Sequence, residues 1–335
     1  MSLLLPVVVL LALILTGALR RYALARSLMD MPNARSSHSV PTPRGGGIAI
    51  AVSFMLAVPL LAAQHMLPWP QAWAVLGAGG FVALVGFADD HGHIAARWRL
   101  LAHFIAAAWA LAWLGGPPPL GCCGELFAAG GIMTLLAALY LVWMLNLYNF
   151  MDGINGLASI EALCVCIGGA LLYMLTGQAA LALAPLALAA AVAGFLFWNF
   201  PRARIFMGDA GSGFLGLVLG LWSLQAGWVR PELFWSWLIL LGVFVVDATF
   251  TLLRRLLRGE KVHQAHRSHA YQHAARLAGR HLPVTLAVGA LNLLWLLPIA
   301  LLVGLQQLPA LAGVLIAWLP LSLLAIRLRA GRRDD

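Results

Sequence analysis

The sequence predicts an all-α, polytopic integral membrane protein, and three observations carry that prediction. Of 335 residues, 62% are hydrophobic and only 10% are charged, and mean hydropathy is +0.90; soluble domains carry nearer 25% charged residues. The apolar residues are gathered into about eleven runs close to the ~20 residues needed to cross a hydrocarbon core. The basic residues fall in the gaps between those runs, and almost all in alternate gaps.

The runs are 3–19, 46–63, 71–88, 100–115, 130–147, 157–176, 179–198, 212–227, 232–252, 283–304 and 309–326. The first precedes the charged "RRYALAR" with no small-residue cleavage site, so it is read as an uncleaved signal-anchor; a removed signal peptide is the alternative. The next four are separated by loops rich in Gly, Pro and charge. The sixth and seventh are only weakly separated, and the last four flank one long basic loop at 253–282. No linker or short-period repeat divides the chain, so residues 1–335 read as one polytopic domain.

Starting with the N-terminus outside, each run switches the side. The inner segments become 20–45, 89–99, 148–156, 199–211, 253–282 and the tail from 327. They hold twenty of the twenty-one Lys and Arg residues, leaving Arg230 alone outside. Such a positive-inside bias predicts a periplasmic N-terminus and a cytoplasmic C-terminus. The net charge of +9 is thereby a membrane-surface signature and needs no nucleic-acid partner.

Four polar clusters interrupt the hydrocarbon: "GFADDHGH" at 86–93, "NFMDGINGLA" at 149–158, "FMGDAGSG" at 206–213 and "HQAHRSHAYQH" at 263–273. All fall on the predicted inner side, so they can converge on one site. Asp89, Asp90, Asp152, Asp209 and Asp247 lie near that face, and ionisable groups beside hydrocarbon are costly unless they serve a function. Helix capping is the plain reading for Asp209. It does not explain Asp89 and Asp90 at a helix C-terminus, where the dipole disfavours anions. Carboxylates with Asn and Gly beside them suit Mg²⁺, with Mn²⁺ as an alternative. His263, His266, His269 and His273 recur at intervals of three, three and four and would line one broad face of a helix. A zinc site and an interfacial amphipathic face are competing readings. Anion binding is preferred, because Arg267 stands between two of the His residues and suits phosphate. With Arg35, Arg44, Arg97 and Arg99, the expectation is a cationic cup around a carboxylate-held metal, fitted to a diphosphate and to phosphoryl transfer.

These residues also carry a resemblance. "MDMPNARSSHSVPTPRGGG", "FADDHGHIAARWR", "NLYNFMDGINGLA", "FWNFPRARIFMGDAGSGFLG" and "AHRSHAYQH" are similar, in order, to motifs of the polyprenyl-phosphate N-acetylhexosamine-1-phosphate transferases, over about residues 28–275. "RSSH…PTPRGGG" and "HRSHAYQ" most resemble the O-antigen-initiating branch; the peptidoglycan branch is the alternative. The resemblance implies that Asp89 and Asp90 engage the lipid phosphate and that Asp209 is a Mg²⁺ ligand. It places Phe206 as a nucleobase contact, and Asn149 and Asp152 near metal and nucleotide. His266, Arg267 and His269 fall where the family binds the donor diphosphate or sugar, and Arg35 and Arg99 supply positive charge. Asn155 stands where many relatives have a second Asp, and Arg99 where some have Lys.

The implied reaction takes a UDP-N-acetylhexosamine from the cytoplasm and undecaprenyl phosphate from the inner leaflet of a bacterial cytoplasmic membrane. Direct attack of the lipid phosphate is favoured over a phospho-enzyme. A homodimer is expected from the same resemblance. A transporter is the reading from a different class, since carriers also combine apolar spans with buried polar groups; clustering of carboxylates at one face argues against it. Cys122 and Cys123 are expected to be free thiols, and Cys164 and Cys166 to be packing residues inside a span.

Overall fold

A computed structural model describes residues 3–32, 37–92, 94–122, 125–127, 130–260 and 266–332. The helices in chain order are α1 (Leu4–Ala25), α2 (Ile48–Ala63), α3 (Trp69–Ala74), α4 (Gly80–His91), α5 (Ala96–Leu114), α6 (Gly131–Met151), α7 (Leu157–Leu175), α8 (Leu183–Asn199), α9 (Gly208–Val229), α10 (Pro231–Leu240), α11 (Gly242–Leu257), α12 (Ala270–Ala278), α13 (Leu282–Leu291), α14 (Leu297–Gly304) and α15 (Ala310–Arg327). Two short antiparallel ribbons, which hydropathy does not reveal, complete the described structure. β1 (Met29–Asp30) pairs with β2 (Thr42–Pro43), and β3 (Leu120–Cys122) pairs with β4 (Glu125–Phe127).

Each predicted apolar run forms helix, because in hydrocarbon a chain must satisfy its backbone groups internally. By length and apolarity, eight helical segments among the described residues qualify as spans, or nine if the bent pair α10–α11 is one span. α2 is shorter, at 16 residues, and α5 is made less apolar by Arg97, Arg99 and His103. π-turns at Val75–Gly79 and Asn292–Leu296 join α3 to α4 and α13 to α14 within continuous segments.

Two expectations are corrected here. The ninth run is not straight, since α10 and α11 meet at a 72° bend beside Leu241, with Gly242 opening the second half. The loop at 253–282 is not all loop, because α11 runs on to Leu257 and α12 lies within it.

The core is built around α9, where 89% of the residues in its apolar stretch are buried, against 17% in the N-terminal α1. Helices α2, α4, α6 and α10 pack against α9. Its small residues allow this approach, as they do between membrane helices generally: a Cβ on Gly216 would lie 2.5 Å from the Met144 carbonyl oxygen. Around this post α1 packs on α8 and α7 on α8. The ends of α4, α6 and α8, the start of α9 and the whole of α12 meet at one end of the bundle, where the polar clusters lie.

Candidate active site

Asp90, one residue from the end of α4, is 4% exposed. Its carboxylate accepts from the backbone N–H of Asp209 at 3.2 Å and of Ala210 at 3.4 Å, so it sits on the positive N-terminus of α9. Gly208 makes this contact possible. It has φ +76°, and a Cβ there would stand 2.5 Å from Asp90 Oδ2.

Asp89 turns elsewhere. Its Oδ1 accepts from Ile94 N–H at 2.6 Å, and its Oδ2 accepts from Arg99 Nη1 at 2.6 Å. The same Arg99 nitrogen donates to Asp209 Oδ2 at 2.9 Å, so one guanidinium bridges two carboxylates. Asn149 Nδ2 donates to the other Asp209 oxygen at 2.9 Å and to Ser212 Oγ at 3.0 Å. Asp209 therefore does not cap its helix; its side chain faces Arg99 and Asn149.

Three adjoining cavities surround this cluster. The first, of about 200 Å³, lies between α4, α5 and α6 and is lined by Val82, Val85, Leu100, Leu145 and Phe150 together with Arg99, Asn149 and Asp209. Leu100 and Phe150 are also exposed on the outer flank, by 46% and 39%, so this cavity reaches the lipid-facing surface. The second, of about 220 Å³, holds Asp90, Asn149, Asp152 and Asp209 with Arg44 and Asp30. Asn149 and Asp209 form the wall common to both. The third is wide, about 820 Å³, and is lined by Arg202, Arg267, Arg276, Arg280, His281, Asn155 and Phe206.

Burial, and then the carboxylates of Asp209 and Asp90, push Asp152 well above the usual carboxylate range. Such mutual repulsion is what a bound cation relieves. Among the described residues no three His, Cys, Asp or Glu side chains are placed to hold one ion, so no complete cage is preformed. Mg²⁺ requires less than that, commonly one or two carboxylates with water and phosphate oxygens completing its shell. Asp209 and Asp152, with Asn149 in the same cavity, meet this lesser requirement.

The histidine cluster departs from expectation. His266 precedes α12 and His269 is its N-terminal flanking residue, so these two do not share a helix face with His273. His263 and Arg35 lie outside the described residues. His269 is 3% exposed, and its Nδ1 donates to Asp247 at 3.3 Å. Asp247 also accepts from the backbone N–H of Ala270 at 2.9 Å and of Tyr271 at 3.0 Å. It thus caps α12 from α11. His266 Nδ1 accepts from Ser268 N–H and lies 2.9 Å from its hydroxyl. Burial, then His269 and Arg255, push His266 down to about 3, leaving its ring neutral at physiological pH. Neither His266 nor His269 lines the three cavities; Arg267, Gln272 and Arg276 do.

Asn155 is placed by the chain as well as by its own side chain. Its backbone N–H donates to His281 Nδ1 at 3.3 Å, its carbonyl accepts from Thr285 at 2.9 Å, and its Nδ2 donates to Pro201 O at 3.2 Å. Arg202, Arg276, Arg280 and His281 complete the wide cavity. They are individually inconspicuous in sequence, being members of a general basic inner face. Cys164 is half-buried and Cys166 buried, both as free thiols; Cys123 and the side chain of Cys122 lie outside the described residues.

Residues 72–227 match the model of glycosyl transferase family 4. A decaprenyl-phosphate N-acetylglucosaminephosphotransferase of Mycolicibacterium smegmatis is 31% identical over 307 residues, covering 78% of this chain and 74% of its own. This chain belongs to that family of membrane transferases. A probable undecaprenyl-phosphate N-acetylglucosaminyl 1-phosphate transferase of Bacillus subtilis is 28% identical, covering 77% of this chain and 73% of its own. A phospho-N-acetylmuramoyl-pentapeptide-transferase of Moorella thermoacetica is 32% identical, covering 66% and 74%. The family segment contains Asp89, Asp90, Arg99, Asn149, Asp152, Asn155, Phe206 and Asp209. It stops before Arg267, so the two sides of the transferase site differ in how much of them the family model describes.

Proposed function

We propose that this transferase moves N-acetylhexosamine-1-phosphate from a UDP-sugar to undecaprenyl phosphate, releasing UMP and leaving a polyprenyl-diphospho-sugar. One observation carries the reading: a single wall, Asn149 and Asp209, separates a cavity that reaches the lipid-facing flank from a carboxylate cavity that adjoins a wide arginine-lined one. Two substrates of opposite character thereby reach the same few side chains. The lipid phosphate enters along α4, α5 and α6, where Arg99 meets it. The nucleoside diphosphate occupies the wide cavity, with Arg267 on its phosphates and Phe206 beside its base. Asp209 and Asp152, with Asn149, would hold Mg²⁺, which would supply charge neutralisation at the diphosphate. Asp90 braces the start of α9, and Asp89 holds Arg99 in place; both act by orienting groups that touch substrate.

The lipid phosphate oxygen attacks the sugar-linked phosphorus, and the bond to the UMP phosphate breaks. The attacking oxygen is already anionic, so no covalent enzyme intermediate is needed. The site faces the cytoplasm of a bacterial inner membrane, with the N-terminus periplasmic, because the basic residues concentrate on that side. A reporter fused after Asp335 is expected to be active in the cytoplasm, and a periplasmic signal would refute this orientation.

The likeness to the Moorella enzyme supports a second reading, in which the donor carries a muramoyl peptide. Purified protein given undecaprenyl phosphate and a panel of UDP-sugars separates the two. UMP release with UDP-N-acetylglucosamine or a 6-deoxy analogue supports the main reading, and release only with the muramoyl-pentapeptide donor supports the second. UMP release without any polyprenyl phosphate would refute both.

A further inference from the structure

Among the described residues, four line both the carboxylate cavity and the wide cavity: Ser37, His38, Phe206 and Gln272. Whatever joins a ligand in one cavity to a group in the other must pass them. Among the four, His38 alone has an ionisable side chain. Gln272 is committed to α12, where its Oε1 accepts from His269 N–H at 3.2 Å. His38 Nε2, by contrast, is buried and has no hydrogen-bond partner among the described residues. The nearest anion, Asp30 Oδ2, stands 3.8 Å away, beyond hydrogen-bond reach.

The ring is nonetheless well fixed. It packs against Phe206 with centroids 4.8 Å apart and planes at 62°. The preceding residue is held because His281 Nε2 donates to Ser37 O at 2.8 Å. The segment after it is tied to the metal side of the site: Phe206 N–H donates to Pro43 O at 2.8 Å, and Gly46 N–H donates to Phe206 O at 2.9 Å. A buried donor without an acceptor is costly, and the cost falls away when a ligand completes the bond. The Asp30 carboxylate, placed toward Nε2, favours the tautomer with its proton on that nitrogen.

We propose that His38 is a catalytic residue that donates its Nε2–H to the phosphate leaving with the nucleoside. The inference rests on the transfer reading above. In the nucleoside diphosphate, the sugar-linked phosphorus belongs in the carboxylate cavity and the nucleoside in the wide one, so the bridging oxygen passes His38. As the lipid phosphate oxygen bonds to the sugar-linked phosphorus, the bond from that phosphorus to the bridging oxygen breaks. The electron pair stays on the oxygen, now a terminal oxygen of UMP, and the imidazole N–H stabilises the growing charge without giving up its proton. Preorganised donors at such positions are among the largest contributions to catalysis.

The test uses full-length protein, undecaprenyl phosphate in detergent micelles and UDP-N-acetylglucosamine, with UMP release as the readout. His38→Ala is expected to lower kcat by about 10²-fold, the usual loss for one such donor, with the KM for the lipid unchanged. Added imidazole should restore roughly ten-fold of that loss to His38→Ala by supplying the missing donor. His38→Phe keeps the ring packing on Phe206 but has no N–H and leaves no room for imidazole, so it should be equally slow and not rescued. Both variants should keep the wild-type melting temperature. Either variant turning over within three-fold of wild type, or a loss in His38→Ala that imidazole does not touch, overturns the inference alone. A wild type that releases no UMP with any UDP-sugar overturns the transfer reading and this inference together.

Discussion

The carboxylate side and the histidine side of the site divide their polar residues differently between cavity wall and backbone support. On the carboxylate side, Asp90, Asn149, Asp152 and Asp209 all open onto a cavity, and the groups that hold them are mostly the ends of helices. On the histidine side, His269, Asp247 and His266 are spent on structure: Asp247 caps α12, His269 is buried against it, and His266 binds Ser268. Arg267, Gln272 and Arg276 of that stretch do reach a cavity. A dense polar motif beside a membrane therefore marks a place where backbone must be satisfied as much as a place where substrate binds. At the start of α9 Asp90 serves the backbone too, while Asn149 and Asp209 keep their side chains on the wall between two cavities. The segment at 266–269 is irregular and the start of α12 follows it, so side chains such as His266 and Asp247 must serve the backbone there.

The largest test of this contrast is Asp209→Asn. It removes an anionic group at the wall shared by two cavities, and turnover should fall by roughly 10³-fold, with apparent Mg²⁺ affinity also reduced. Circular dichroism and melting temperature in detergent should stay near wild type. Near-normal UMP release at limiting Mg²⁺ would show that the carboxylate side does not hold the metal through this residue. Asp90→Asn should cost less, about 10²-fold, since it loosens the start of α9 without touching substrate. Asp89→Asn should cost about ten-fold by freeing Arg99. If the two neighbours lose equal activity, their different partners do not matter to the reaction.

On the other side, Arg267→Ala should chiefly raise the KM for the UDP-sugar. A charge-assisted contact to phosphate contributes roughly 1.5–3 kcal/mol, so kcat/KM should drop about ten-fold or more. Arg267→Lys should recover only part of this, because a point charge does not reproduce a planar fork. An unchanged donor KM would remove this loop from the site. Asp247→Asn is expected to read differently. It weakens a cap to two backbone N–H groups and a buried His, so stability should fall by about 1–3 kcal/mol while the donor KM moves little. A large KM change with no change in melting would place Asp247 among the substrate-binding residues.

A last test concerns pH. His266 is held neutral, with its folded pKa near 3 and its unfolded value near the ordinary ~6.5. Below 6.5 the unfolded chain binds a proton that the folded chain refuses, so stability present at neutral pH declines as pH falls from about 6.5 toward 3. His266→Asn should flatten that decline in a pH series of melting temperatures, and a slope unchanged by the substitution would refute the assignment.

Much of this was legible from residue order. The apolar runs predicted where helices form, and the recurrence of polar clusters on one predicted side indicated that they could meet. Asp89, Asp90, Asp152 and Asp209 stand out in the sequence because carboxylates beside hydrocarbon are expensive, and Asn149 through the motif it shares with the family. His38, Arg202 and His281 do not, since each looks like one more polar residue on a basic face. His266 and His269 do not share a helical face with His273, because periodicity does not say where a helix begins and His269 stands at its boundary. The bend at Leu241 was hidden too, as both halves are apolar and only their packing separates them.

What the sequence by itself determined is the solvent of this protein and its family. Long apolar segments must become helices in lipid because unsatisfied backbone groups there are prohibitive, and the ordered motifs point to one kind of transferase. Only the tertiary structure decided which polar groups are available for chemistry. Adjacent Asp89 and Asp90 are chemically identical in the chain, yet one is bound to Arg99 and the other to the N-terminus of α9. Those partners are 10 and 119 residues away. A hydrogen bond is a matter of ångströms and angle, and no local pattern of residues encodes a partner brought close by the packing of other helices.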